Sequence, residues 1–143
     1  MTPYDHGDAP IHIAEYLHTA GVTQDPYEGQ EERHPRPAIF LGTLPDTPSR
    51  AIGIVGPWVD PTDEANPDIT FMVVGRGTPN NIMEVYRDLA AAHDALWHDT
   101  SFELTATRSA AYCERVTADP PATDENGRLI RVDTYHMRLH VPE

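Results

Sequence analysis

The sequence predicts an α+β domain, a mostly antiparallel sheet with one long and one short helix packed on one face. Short apolar runs rich in β-branched residues recur at 38–44, 51–57, 69–77 and 129–141, each bounded by Pro, Gly or Asp. Two other segments, 8–21 and 78–98, place apolar residues at spacings of three and four, the helical period. The total of 143 residues favours one domain spanning 1–143, with residues 1–9 expected as a flexible start.

Taken in order, the first element is the helix in "DAPIHIAEYLHTAG". Asp8 is positioned to cap it, Pro10 suits its first turn, Ile13, Leu17 and Ala20 share a face, and Gly21 stops it. Residues 23–37 are polar and rich in Glu, Pro and Gly, which reads as a loop. "AIFLGTL" (38–44) and "AIGIVGP" (51–57) follow as strands, expected to form a hairpin across "PDTPSR". After an acidic loop at 60–68, "ITFMVVGRG" is apolar on both faces, as a central strand is.

The long helix comes next, with Thr78 as its expected N-cap and Pro79 at its first position. Its expected inward stripe is Ile82, Tyr86, Leu89, Ala92 or His93, and Leu96, with Val85 and Trp97 beside it. Residues 101–119 hold one strand, or two broken near Ser109. Asn126-Gly127 is a strong hairpin signal leading into the last strand, 129–141. Apolar parity along that strand flips near Asp133-Thr134. The flip implies a bulge there, or a strand with both faces partly covered.

Charge excludes more than it selects. Twenty-three Asp and Glu face ten Arg and no Lys, for a formal net charge of −13. Such a chain does not neutralise phosphates, so nucleic-acid binding is not expected. The balance suits solubility, or a channel wall that DNA must pass without sticking. The start at Met1–His6 has neither the basic residues nor the apolar stretch of a signal peptide, and no apolar run is long enough to span a membrane. The expectation is a protein made in the cytoplasm and staying soluble there.

The search for chemistry finds no site. Cys113 is the only cysteine, which excludes an intramolecular disulfide and a cysteine-based zinc site. His136 and His140 lie roughly 13 Å apart along a strand, too far to share an ion. His93 and His98 point in different directions on a helix, and His12 with Glu15 lacks a second ligand pair. "TDENGR" lacks the alternating ligands of a calcium loop, and "GRGTPN" is neither a dinucleotide fingerprint nor a phosphate loop. Ser49, Ser101 and Ser109 stand outside any nucleophile elbow. No catalytic residue, metal or cofactor is assigned, and the chain is read as a non-enzyme.

Three stretches carry a resemblance: "PIHIAEYLHTAG" with the loop and strand "AIFLGTL" after it; "DITFMVVGRGTPNNIMEVYRDLAAAHDALWH", where a strand ends in Arg76-Gly77 and passes directly to the long helix; and "DENGRLIRVDTYHMRLHV". In this order they resemble the tail terminator proteins of long-tailed bacteriophages, also described as tail-completion or minor capsid proteins. The resemblance implies a virion protein of the tail and neck that forms a homo-oligomeric, usually hexameric, ring. Such a ring caps the tail tube, contacts the major tail tube protein and the head-completion or connector proteins, and lets DNA pass without specific binding.

On that reading Asp60, Asp63, Glu64, Asp68, Asp119, Asp124 and Glu125 are candidates for an acidic lumen or loop surface. Asp46, Thr47, Ser49 and Arg50 are candidates for an assembly-contact loop. The alternatives are another head–tail connector or neck protein, a small α+β ligand-binding domain, and an acidic mimic of nucleic acid.

Overall fold

The computed structural model describes residues 6–60, 68–106 and 108–140. A short 3-10 turn, His6–Asp8, runs into helix α1, Ala9–Thr19. Strands β1 (Ala38–Leu41), β2 (Ala51–Asp60) and β3 (Asp68–Arg76) precede helix α2 (Ile82–Leu96). Strands β4 (Phe102–Thr105), β5 (Arg108–Ala118), β6 (Ala122–Thr123) and β7 (Leu129–His140) follow. Helices and strands segregate into layers, so the class is α+β with the sheet dominant.

The strands form one sheet in the order β1-β2-β3-β7-β5-β4, with β6 paired to β7. Inward residues alternate as a sheet with one covered face requires. Ile69, Phe71 and Val73 on β3 and Tyr135, Met137 and Leu139 on β7 are all buried. Ile13, Ala14 and Leu17 of α1 and Val85, Leu89, Ala92 and Leu96 of α2 join them in one core. Both helices therefore lie on the same face. Helix α1 packs against β1 and β2 and also against β4, at the other edge of the strand order, so the sheet curls around it. The Tyr16 ring meets Phe102 edge-on at 5.6 Å, and its hydroxyl lies 2.7 Å from His98 Nε2.

Several local expectations give way to tertiary structure. β1 and β2 pair in parallel, not as a hairpin: residues 42–50 cross the outer face of the sheet, where Leu44 would meet any side chain at Gly53. The N-cap of α2 is Asn81, whose side chain accepts from Glu84 N, while Glu84 Oε1 accepts from Thr78 N. Asn81 thus takes the cap role in place of Thr78, and the helix starts later than Pro79 suggests. Asp8 makes no side-chain cap bond; the preceding 3-10 turn gives it helical dihedrals. The far end of α1 closes with Val22 N–H on Leu17 O and Gly21 N–H on His18 O.

Parity on β7 also resolves. Odd-numbered residues face inward from Asp133 to Leu139, while Ile130 and Val132 stand on the outer face, half-buried. The irregularity lies on β5, between Arg115 and Thr117, and β7 itself pairs regularly with β3. The chain therefore takes the second option, a strand with both faces partly covered. Segment 101–119 holds two strands, with the break between Thr105 and Arg108, and Ser109 itself pairs within β5.

Where β3 passes under α2, Gly75 is required by space. A Cβ there would lie 2.8 Å from Leu89 Cγ and within 3.0 Å of both its methyl carbons. Gly75→Ala is expected to destabilise the fold by about 1–3 kcal/mol through overpacking. Combining it with Leu89→Ala should cost less than the sum of the two single changes, because the smaller side chain vacates that space. Urea unfolding of the two single variants and the double variant checks this; strict additivity would refute the contact.

Candidate assembly surface

The functional geometry gathers at one end of the sheet, where β3 ends, β7 begins and α2 starts. Three loops meet there: 23–37, 42–50 and 119–128. Each is held by side-chain hydrogen bonds or ion pairs, in which the candidates Asp46, Arg50 and Asp124 are joined by Gln24, Arg76 and Arg128.

Arg76, the last residue of β3, is buried to 5% exposure. Its guanidinium donates to three backbone carbonyls: Nη2 to Pro45 O at 2.6 Å and Pro48 O at 2.9 Å, and Nε to Ser49 O at 2.9 Å. Burial and the neighbouring Arg128 lower its pKa from the usual arginine value, although it remains a cation. Arg128, also buried, donates to Asp46 O at 2.7 Å, Asp46 Oδ1 at 3.0 Å and Asp124 Oδ2 at 2.8 Å. Loop 42–50 is therefore clasped from both β3 and β7.

A third arginine ties the loop to the helix layer. Arg50 makes a two-pronged pair with Asp88 of α2, Nε to Oδ2 at 2.9 Å and Nη2 to Oδ1 at 2.6 Å. The bonds to Asp88 raise the Arg50 pKa against the opposing effect of burial. Asp88, which falls outside the expected stripe of α2, is buried by this pairing.

Loop 23–37 is built the same way. The buried Gln24 amide donates to Glu31 O and Arg36 O and accepts from Glu31 N. Gln30 Oε1 accepts the Ile39 N–H on the free edge of β1 at 2.8 Å, so this loop covers part of that edge. Glu32 receives the Ser49 N–H, joining the two loops. In the third loop Asp124 Oδ1 accepts from Asn126 N and Arg128 N, and Gly127 supplies the positive φ of +74° that the turn needs. The Arg128 backbone bond, with its side-chain bond, holds the Asp124 carboxyl below the usual range.

Of the assembly-contact candidates, Asp46, Ser49 and Arg50 are engaged in this network, and Thr47 lies on the same loop. The acidic candidates divide. Asp119, Asp124 and Glu125 sit at this end, where Asp46, Asp124, Glu125, Asn126 and Arg128 line a shallow depression of about 220 Å3. Asp68 opens β3 and so lies at the other end, about 26 Å from Arg76 along the strand. Asp60 is its register partner on β2, and Asp63 and Glu64 fall outside the described residues.

Asp68 is not a free charge. Arg138 grips it with Nε at 2.9 Å and Nη2 at 3.0 Å, Tyr112 OH stands at 3.5 Å and His136 at 3.8 Å. The Arg138 bonds lower its pKa against the effect of burial. On the inner face Asp133, fully buried, is paired with Arg131 at 2.8 Å and Arg115 at 3.6 Å.

Chemistry is confined elsewhere too. A pocket of about 250 Å3 is lined by Trp97, His98, Asp99, Tyr112, Cys113 and Glu114. It falls below the usual range for small-molecule sites. Cys113 is fully buried and burial raises its pKa to about 12, so the thiol is inert at neutral pH. Among the described residues no group of three or more His, Cys, Asp or Glu could hold a metal ion.

The structure is that of a small two-layer domain whose loops are fixed by internal ion pairs and hydrogen bonds. Its fold is similar to that of a chain in the "Virion of native gene transfer agent (GTA) particle", with a TM-score of 0.57 at 12% identity, covering 72% of this chain and 78% of that one. No curated protein sequence matches. Residues 16–141 match the family described as "Bacteriophage tail terminator protein", and the chain belongs to that family. It is a non-enzymatic structural protein of the phage virion.

Two predictions test the network. Arg76→Met should lower stability by about 1–3 kcal/mol by orphaning buried carbonyls, and should speed amide exchange within 45–50 more than in β3. Unchanged exchange in that loop would refute the clasp. Asp68 has a folded-state pKa below its unfolded value. Its contribution is therefore complete above the unfolded pKa of about 3.9 and is lost as the pH falls through the folded one. Asp68→Asn should thus melt lower than the parent at pH 7, and the difference should close in acid below pH about 4. A difference that persists there would contradict the assignment.

Proposed function

We propose that the chain works as a single-domain subunit of a ring, usually of six copies, that caps the tail tube at the head–tail interface. The ring stops tube polymerisation and lets DNA pass. It is assembled in the host cytoplasm and remains in the tail and neck of the virion. The observation that carries this reading is the clasped loop end: three loops are held in fixed shape at a cost in buried charge, yet enclose no reactive group. Such an end is preorganised for contact with another protein. The partners are further copies of this chain, the major tail tube protein, and the head-completion or connector proteins.

Charge supports the passage of DNA. The described pairs of Arg50, Arg115, Arg128, Arg131 and Arg138 place these cations against carboxylates of the same chain. The outward balance stays strongly negative, with a formal net charge of −13 per copy. Exposed Asp119 and Glu125 then belong to a surface that repels phosphate. Asp60, Asp63 and Glu64 are assigned to the same role.

Negative-stain images of the purified chain, alone and mixed with polymerising tail tube protein, test the proposal. The expected result is rings, and tubes that cease to grow at a ring-bearing end. A monomer that leaves tube length unchanged would overturn it.

A further inference from the structure

Helix α2 is apolar on two sides. Val85, Leu89, Ala92 and Leu96 are buried in the core, but Ile82 is 61% exposed, Met83 51%, Tyr86 36% and Trp97 51%. Ala90, also exposed, continues the outer stripe between them. Over its 15 residues the helix is about 22 Å long, and the stripe runs its whole length. Glu84, Arg87 and Asp94 occupy the remaining side of the helix, so its apolar band is wider than the face the core buries.

The sheet shows the matching feature on the opposite side of the domain. Its outer face carries Val55 and Trp58 on β2, Met72 and Val74 on β3, and Ile130 and Val132 on β7. Strand register puts all of these on one side. Trp58 is 52% exposed, and the others are half-buried with no helix over them. Strands apolar on both faces belong to sheets covered on both faces. One domain thus has an exposed helix stripe and, beyond the part that residues 42–50 cross at Gly53, a sheet face with no helix over it.

Charge allows these two surfaces to meet. Two copies at −13 each repel, so close approach needs faces poor in carboxylates. On the outer sheet face the carboxylates Asp68 and Glu114 each have a partner there, Arg138 at 2.9 Å and His136 at 3.9 Å. Arg87 stands on the outer side of α2 without an ion-pair partner among the described residues, while exposed Glu114 borders the sheet face, its ion-pair partner being His136 at 3.9 Å.

We infer that the outer stripe of α2 packs onto the outer sheet face of a second copy of this chain, with Arg87 meeting Glu114 at the rim. The inference rests on the ring reading above and specifies its subunit contact. Because the two surfaces differ and lie on opposite sides, the contact is heterologous, and each copy keeps one of each surface free for the next.

The test uses two variants of the full chain whose changes fall on the proposed surfaces, with folding checked by circular dichroism. Ile82→Glu with Met83→Glu spoils the stripe, and Trp58→Glu with Thr70→Glu spoils the sheet face. In sedimentation velocity the parent should oligomerise and each variant should be a monomer. An equimolar mixture should form a dimer and nothing larger, since each variant supplies the surface the other lacks. A mixture that stays monomeric, or variants that keep the parental oligomer, would overturn the inference. Variants that still form rings and cap tubes would do so while leaving the ring reading intact. A parent that neither oligomerises nor caps tubes would remove that reading as well. If a variant unfolds, Arg87→Glu and Glu114→Arg replace it: each alone should weaken association and the double variant should recover it. A double variant no stronger than the singles would count as refutation.

Discussion

The loop end of the domain depends on two arginines, Arg76 and Arg128, whose guanidiniums turn inward onto the backbone of residues 45–49. A peptide segment lying over a sheet must satisfy its carbonyls or lose the hydrogen bonds it had to water. Arginine suits this task because its planar fork holds several donors in fixed directions and stays charged when buried. An ammonium group, compact and strongly hydrated, would serve less well. The absence of lysine from a chain with ten arginines fits a structure in which positive charge serves internal geometry.

That use of arginine sets the outside of the molecule. Asp68, Asp88, Asp124 and Asp133 are each held by an arginine, so the pairs fix strands, loop and helix to one another. Others among the described residues, Asp94, Asp119 and Glu125, are exposed. The same choice therefore rigidifies the loop end while the chain as a whole keeps a formal net charge of −13. The two properties follow from one another.

The layer structure has a parallel economy. A sheet of this size needs cover on only one face to make a core, and α1 and α2 provide it. Yet β3 and α2 both carry a second apolar side. This is why the stripe expected for α2 included Ile82, Tyr86 and Trp97, which lie on the outer side, beside Leu89 and Leu96, which lie inward. Periodicity reads the apolar positions correctly but cannot choose between two apolar faces of one helix.

By itself the sequence determined the class, both helices, most strands and the turn at Asn126-Gly127, because these follow from local periodicity and local dihedral preference. It also determined the acidic balance and the absence of recognisable catalytic motifs. Only the tertiary structure decided that β1 pairs with β2 in parallel, that Asn81 takes the cap from Thr78, and that the assembly-loop candidates Asp46, Ser49 and Arg50 are clasped from β3, β7 and α2. It also divided the acidic candidates, with Asp68 at one end and Asp119, Asp124 and Glu125 at the other. Arg76 and Arg128 carry no local signature of their hold on residues 45–49, since those partners lie 27 to 82 residues away in sequence. Contacts over such separations are chosen by the packing of the whole sheet, which no window of neighbouring residues encodes.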